Sequence, residues 1–169
     1  MKTTQKYGKN ADLALSLWVK LARATDMMAL LSGKDIDRYG LTVPQFGVIE
    51  SLGHLGPMKV GGLCSKKLMS GGNMTVVIDN LEKQGLVERV KDPEDRRAIV
   101  ITLTAAGEAK FQEMWPAHAH FVEMLVWSAL SEEEIATLSS LLKKLGTSLK
   151  QIDLSQIHIP TTTHQEQQS

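Results

Sequence analysis

Apolar residues recur at helical spacing near both ends of the chain. Between about residues 11 and 32, and again over residues 135–152, they follow one another at steps of three and four. This spacing places apolar side chains on one face of an α-helix. The second segment follows Ser131-Glu-Glu-Glu134, a capping box whose acidic residues favour a helix N-terminus. Its alternating steps suit a neighbouring helix that lies nearly parallel or antiparallel to it.

Between these stripes the pattern predicts further, shorter helices. The polar segment GKDIDRYG is expected to be a break after the first helix. Thr42 is expected to cap the next helix, which has Pro44 in its first turn and ends near the Gly53 and Gly56-Pro57 breaks. A short helix is predicted over about residues 60–68.

A capped helix and a hairpin follow. Ser70 is expected to cap a helix over about residues 71–84, which a glycine ends. Two β-rich runs, LVERV and AIVITL, come next and are joined by the charged segment KDPEDRR, the pattern of a hairpin. Thr104 is then expected to cap a long helix that reaches about Ala129 and bends near Pro116.

The helix after Ser70 is predicted to have two different faces. Its inner, buried face is formed by Met74, Val77, Ile78 and Leu81. Its outer face carries Gly72, Thr75, Val76, Asp79 and Lys83. Such a small, sparsely charged face permits close approach, and Asn73 or Thr75 can hydrogen-bond base edges or phosphates. An exposed helix that happens to be small explains the same pattern.

Short helix, turn, capped helix and hairpin form the order of a winged helix-turn-helix. In that fold the second helix enters the major groove of DNA, and the wing reaches the flanking backbone or minor groove. An arginine at the wing tip, Arg96 or Arg97, suits the narrow minor groove of A·T-rich DNA, and Asp95 could hold it extended. A solvated charged turn is the alternative interpretation. The sequence therefore predicts a mainly α fold with a small β-hairpin wing.

Composition sets weaker limits on function. Lys+Arg and Asp+Glu number 19 each, so the net charge neither indicates nor excludes a nucleic-acid partner. Between Met58 and Arg97, eight basic residues stand against six acidic ones, an excess of two. One cysteine excludes an intramolecular disulfide, and no segment reaches the apolar length of a membrane span. We expect a soluble, cytoplasmic protein with no membrane partner.

Catalysis and metal binding find little support in the sequence. The chain lacks the G-x-G-x-x-G, P-loop, H-E-x-x-H and G-x-S-x-G motifs, so we predict no catalytic residues, no cofactor and no enzyme activity. His118 and His120 lie two residues apart on a predicted helix and point about 200° apart, which prevents them from holding one metal ion. Cys64 is interpreted as a core cysteine, with redox sensing as the alternative.

The run SGGNMTVVIDNLEKQGLVERVKDPEDRRAIVITLTAAG resembles the recognition helix and wing of the MarR family (multiple antibiotic resistance regulators). The likeness is specific over about residues 42–107, and the helix order extends it to about 11–150. Members of this family are homodimers that bind pseudo-palindromic double-stranded DNA and often release it when a small, frequently phenolic ligand or an oxidant acts. The resemblance implies a homodimeric DNA-binding repressor with a small-molecule effector.

The resemblance also implies site residues. Arg97 matches the wing arginine that enters the minor groove, Arg96 precedes it, and Asp95 matches its orienting partner. The leading turns of the recognition helix are matched by Ser70, Gly72, Asn73, Thr75 and Val76. Candidates for an effector pocket are Trp18, Trp115, His118, His54, Met27, Met28 and Met58, although core or interface packing is the preferred explanation for each.

The predicted organisation is a single domain with a winged helix-turn-helix core flanked by N- and C-terminal dimerisation helices. The segments are a disordered N-terminus (1–10), the domain (11–150) with its winged helix-turn-helix (42–107) and dimerisation helices (11–33 and 105–152), and a disordered tail (153–169). A dimer is favoured over an intramolecular helical hairpin because a lone two-helix extension buries little surface. Two functional alternatives remain, a redox sensor that uses Cys64 and a winged helix that docks a protein.

Overall fold

The structure, a computed structural model, describes residues 7–67, 70–92, 95 and 98–156. This part of the chain is mainly α with a small β-hairpin, as the sequence predicts. Its elements are α1 (Lys9–Asp37), α2 (Val43–Leu55), α3 (Val60–Lys67), α4 (Gly71–Lys83), β1 (Val87–Lys91), β2 (Ile99–Leu103), α5 (Ala105–Trp127), α6 (Glu132–Leu149) and a 3-10 turn (Leu154–Gln156). None of the helices in the described ranges is long and apolar enough to cross a membrane.

Helix α2 begins and ends at the predicted signals. Thr42 Oγ1 accepts a hydrogen bond from the Gln45 backbone N–H (3.4 Å), and Gln45 Oε1 accepts one from the Thr42 backbone N–H (2.9 Å). These two bonds satisfy amides that have no partner within the helix. At the other end Gly56 has a φ of 77°, a conformation that glycine adopts without steric cost. Both ends of α2 are therefore fixed by local contacts.

The base of the hairpin belongs to the core. Strands β1 and β2 pair antiparallel, with Val87 opposite Leu103. Met58, two residues before α3, bridges to Ile101 through two backbone hydrogen bonds of 3.1 and 2.9 Å. Val87 and Ile101 are almost fully buried. The hairpin is thus held to the helices by both main-chain and apolar contacts.

One hydrophobic core joins the end of α1, helices α2 to α5 and the hairpin. Its buried members are Ile36, Leu41, Phe46, Val48, Ile49, Leu52, Leu63, Met74, Ile78, Leu81, Val87, Ile101, Phe111 and Met114. A β-carbon at Gly107 would lie 1.9 Å from the carbonyl oxygen of Leu86, and one at Gly53 would lie 2.5 Å from the Phe111 ring. Helix α5 therefore contacts the hairpin base and α2 without room for a larger residue at either glycine.

Helix α1 continues farther than its apolar stripe predicts. The segment GKDIDRYG was expected to be a break, but the helix runs through its first five residues to Asp37. Asp35 and Ile36 are the buried residues of α1. Ile36 packs in the core, and Asp35 pairs with His118 of α5. The predicted break was wrong because these tertiary contacts outweigh the local preference of a polar, glycine-containing segment.

The chain divides within α5 into a unit that ends at Met124 and a unit that begins at Leu125. In the second unit Ser131 caps α6 as predicted. Ser131 Oγ accepts a hydrogen bond from the Glu134 N–H (3.4 Å), and the Glu134 carboxylate accepts one from the Ser131 N–H (2.9 Å). The bond from the Ser131 N–H, together with one that the Ser131 hydroxyl donates to the same carboxylate (2.9 Å), lowers the pKa of Glu134. None of the residues of α6 is buried.

The predicted disordered termini are described only in part. Residues 9 and 10 already belong to α1, and the 3-10 turn falls at the start of the predicted tail. The remainder of both segments, residues 1–6 and 157–169, lies outside the described residues.

Candidate DNA-binding surface

One face of α4 anchors the helix to the core. Met74, Ile78 and Leu81 are fully buried and Val77 is half-buried, which confirms the predicted inner face. Each buried aliphatic side chain contributes on the order of 1.5–3 kcal/mol. Ser70 Oγ caps the helix by accepting a hydrogen bond from the Asn73 N–H at 3.4 Å. The position of α4 is therefore well determined, and its opposite face is presented to the exterior.

The residues of α4 and its cap that were predicted to contact DNA are all exposed. They are Ser70, Gly72, Asn73, Thr75 and Val76. Val76 is 59% exposed although it is apolar. The Thr75 hydroxyl donates to the Gly71 carbonyl at 2.9 Å, so Thr75 offers a partner its methyl group and its oxygen lone pairs. A β-carbon at Gly72 would meet no atom within 4 Å, and the fold does not require glycine there.

The tip of the wing is described only in part. Arg96 and Arg97 lie outside the described residues, so their DNA contacts and the pairing with Asp95 stay predictions. Asp95 itself is exposed, and its Oδ2 lies 3.8 Å from Lys59 Nζ. The same Nζ lies 3.5 Å from Asp92 Oδ2. Lys59, which the sequence did not mark as a site residue, thus links the segment before α3 to the wing.

Arg89 of β1 joins the hairpin to α4. Its Nη2 lies 2.5 Å from Asp79 Oδ1, and its Nη1 donates a hydrogen bond to Glu82 Oε2. The hydrogen bond to Asp79 is the main cause that raises the pKa of Arg89. Sequence reasoning placed Asp79 on the outer face and missed this cluster. The available signal was a pair of acidic residues followed, beyond the turn at Gly85, by an arginine.

A second candidate site is a cavity between α1, α2 and α5. Its volume is about 350 Å³, and it is lined by Ser32, Ile36, Val43, Pro44, Phe46, Gly47, Glu50 and His118. His118 Nδ1 lies 2.8 Å from Asp35 Oδ2. Asp35 also accepts a hydrogen bond from Arg38 at 2.8 Å, and the His118 ring packs on Phe46 with centroids 4.6 Å apart. Polar and aromatic contacts therefore fix this wall of the cavity.

The side chains considered for an effector pocket have different surroundings. His118 is the candidate that lines the cavity. Trp115 packs edge-on against His54, with centroids 4.3 Å apart, and Trp18 is exposed on α1. Cys64 is half-buried and packs against the core, in agreement with its interpretation as a core cysteine. Within the described residues, the cavity wall thus combines one predicted candidate with residues of α1 and α2 that the sequence did not single out.

Comparison with known proteins identifies the family. Residues 41–99 match the model of the MarR family. The HTH-type transcriptional regulator MhqR of Bacillus subtilis (strain 168) is 33% identical over 140 residues, which cover 83% of this chain and 96% of that protein. The chain belongs to the MarR family.

Solved structures show the same fold as this MarR-family chain. A probable transcriptional regulator from Pseudomonas aeruginosa is 30% identical with a TM-score of 0.64, over 76% of this chain and 96% of that one. A mutant of E. coli MarR complexed with operator DNA has a TM-score of 0.71 at 24% identity, over 79% of this chain and 96% of that one. The protein is a DNA-binding transcriptional regulator of the MarR family, built on a winged helix-turn-helix.

Proposed function

We propose that this MarR-family protein is a homodimeric repressor that binds pseudo-palindromic operator DNA and releases it when a small ligand binds. In each subunit α4 enters a major groove, and Arg97, with Arg96 beside it and Asp95 orienting it, enters the adjacent minor groove. The observation that carries the proposal is the small, open outer face of α4, opposite an inner face on which Met74, Ile78 and Leu81 are fully buried.

The glycines of α4 support a close approach to DNA. Glycine in a helix costs up to about 1 kcal/mol relative to alanine. Neither Gly71 nor Gly72 has a positive φ, and a β-carbon at either would meet nothing within 4 Å. Because the fold does not need these glycines, contact with an external surface explains them better. The methyl groups of Thr75 and Val76 suit a thymine methyl, and the Asn73 amide suits a base edge.

Exposed apolar stripes support the dimer. One face of α6 carries four exposed leucines, Leu138, Leu142, Leu145 and Leu149. One face of α1 carries the exposed Leu13 and Leu17. Contiguous apolar surface of this kind is unfavourable in water and marks an interface. A twofold partner covers the same stripes in both subunits. The twofold axis also sets two copies of α4 about one DNA turn, roughly 34 Å, apart.

The cavity supports release by a small ligand. A volume of about 350 Å³ is within the usual range for small-molecule sites. Ile36 and Phe46 give it apolar walls, while Glu50 and His118 give it polar groups. An aromatic ligand with one polar group, such as a phenol, matches this lining. Because α2 carries part of the wall and also packs against α4, a ligand that shifts α2 changes the position of α4.

Titration of A·T-rich palindromic DNA at two salt concentrations tests the DNA-binding part. We expect the affinity to fall as salt rises, because phosphate contacts release counterions. Arg97→Ala should weaken binding by about 1–3 kcal/mol. Unchanged affinity in that variant would overturn the role of the wing arginine.

Two measurements separate this proposal from its alternatives. Cys64 packs against the core, which favours a noncovalent ligand over an oxidant as the releasing signal. If peroxide releases DNA from wild type and equally from Cys64→Ser, a redox switch at this cysteine is eliminated. A weak, salt-insensitive response to every DNA tested would favour a winged helix that docks a protein instead.

A further inference from the structure

The charge of α4 is unfavourable for a helix that meets DNA. Its ionisable side chains are Asp79, Glu82 and Lys83, two negative against one positive, which gives a net charge of −1. Asp79 follows Thr75 by four residues and Val76 by three, so it belongs to the same outer face. An uncompensated carboxylate on that face would repel the phosphates that border a groove. The helix therefore needs a cation from elsewhere in the fold.

Strand β1 supplies that cation. The Arg89 guanidinium contacts both carboxylates, with Nη2 2.5 Å from Asp79 Oδ1 and Nη1 hydrogen-bonded to Glu82 Oε2. The Arg89 side chain is 29% exposed, and those of Asp79 and Glu82 are 46% and 41% exposed. The cluster thus lies on the surface that α4 presents. Adding one positive charge to the −1 of the helix gives a neutral surface.

We propose that Arg89 is a positioning residue for DNA binding, which masks the carboxylates of Asp79 and Glu82 so that α4 can approach the phosphate backbone. It acts through α4 and does not itself contact DNA. A guanidinium suits this role because its planar fork donates to two carboxylates at once and stays ionised at every physiological pH. The inference rests on the proposed entry of α4 into the major groove.

Two other roles for Arg89 make different predictions. In the first, Arg89 binds a phosphate directly, and the carboxylates only oppose it. In the second, the cluster is a mechanical link that fixes the angle between α4 and the hairpin. If Arg89 masks the carboxylates, its removal should weaken DNA affinity only while Asp79 and Glu82 are present. Removal of the two carboxylates alone should not weaken DNA affinity.

A double-mutant cycle separates the three roles. Affinity for a palindromic operator is measured for wild type, Arg89→Gln, the double variant Asp79→Asn with Glu82→Gln, and the triple variant. Masking predicts that Arg89→Gln weakens binding about tenfold. The double variant should bind at least as tightly as wild type. The triple variant should bind within about threefold of the double variant.

Each other pattern contradicts masking. A loss in the triple variant as large as that in Arg89→Gln would assign Arg89 to a direct phosphate contact. A loss in the double variant like that in Arg89→Gln would assign the cluster to mechanical linkage. Arg89→Lys should bind more tightly than Arg89→Gln, since the positive charge remains, and equal losses in the two would also contradict masking.

Controls separate this inference from the proposed function. Lys110→Gln removes one positive charge from an ion pair on α5, where Lys110 Nζ lies 3.2 Å from Glu113 Oε2, and it should leave operator affinity nearly unchanged. Urea unfolding of each variant identifies any loss of fold. If wild type itself binds no DNA, the proposed function fails. If wild type binds and the cycle is additive, only the masking role fails.

Discussion

Two histidines of α5 provide a matched test of the core. His118 Nδ1 lies 2.8 Å from Asp35 Oδ2, with side chains 8% and 1% exposed. His120 Nδ1 lies 3.1 Å from Glu123 Oε2, with side chains 69% and 61% exposed. Both contacts join an imidazole to a carboxylate, but only the first is buried. We expect His118→Leu to destabilise the protein strongly and His120→Leu to have little effect.

The expected magnitudes follow from burial. Loss of the imidazole leaves Asp35 Oδ2 buried without its hydrogen-bond partner, which costs about 1–3 kcal/mol and more where the group is charged. Asp35 would keep its hydrogen bond to Arg38, whose side chain is 67% exposed, so we expect a loss of about 3 kcal/mol. In a chain of this length that loss lowers Tm by roughly 6–12 °C. The exposed pair of His120 is worth at most about 1 kcal/mol.

Urea unfolding at a fixed chain concentration measures both variants. The concentration is held constant because a dimer gains stability as it rises. Equal, small losses of unfolding free energy in His118→Leu and His120→Leu would refute the argument that the Asp35–His118 contact holds α1 to α5. A large loss in His120→Leu would show that exposure does not separate the two pairs.

Three further changes test other parts of the fold. Gly107→Ala should lower the unfolding free energy by roughly 2–4 kcal/mol, because its β-carbon would overlap the backbone carbonyl of Leu86. Gly33→Ala is the control: the nearest atom to its β-carbon is 3.8 Å away, and the change should raise the unfolding free energy by up to about 1 kcal/mol. Leu142→Glu should convert the proposed dimer to monomers in light scattering, and Ser140→Glu on the opposite side of α6 should not. The pKa of Glu134 is lower in the folded protein than in the unfolded chain. The ionised carboxylate therefore stabilises the fold at pH values above the unfolded-state pKa, and this stabilisation is lost as pH falls through the folded-state pKa. The difference in unfolding free energy between wild type and Glu134→Gln should therefore shrink from about pH 6 to about pH 3.

Local signals in the sequence predicted much of the fold. The capping boxes at Thr42 and Ser131 form as expected, since each depends on residues three positions apart. The buried face of α4 follows from its 3.6-residue period. The hairpin follows from two β-rich runs around a charged turn. In each case the deciding interactions lie within one segment or between neighbouring segments.

Contacts between distant segments were not predictable in the same way. Asp35 and His118 are 83 residues apart, and no local pattern in the sequence pairs them. Their contact also explains why α1 extends past its apolar stripe. The end of a helix is set by what its last turn packs against, and that partner is invisible to a local pattern.

In the candidate DNA-binding surface, too, local patterns were predictable and contacts between segments were not. Exposure of Thr75 and Val76 followed from periodicity, which depends on α4 alone. The contacts of Lys59 and Arg89 did not follow. With 19 basic and 19 acidic residues, many opposite-charge pairs are possible, and only the arrangement of the hairpin against the helices selects among them.

A hydroxyl-radical footprint tests whether two subunits place the outer face of α4 in successive major grooves. The probe is the DNA that the wild-type protein selects from a random pool, footprinted with wild type and with Val76→Glu at equal concentration. We expect twofold-symmetric protection centred on half-sites about 10 base pairs apart. Val76→Glu should lose this protection while its unfolding free energy stays unchanged, because the Val76 side chain is exposed. Protection without twofold symmetry, or protection that Val76→Glu retains, would contradict this placement of α4.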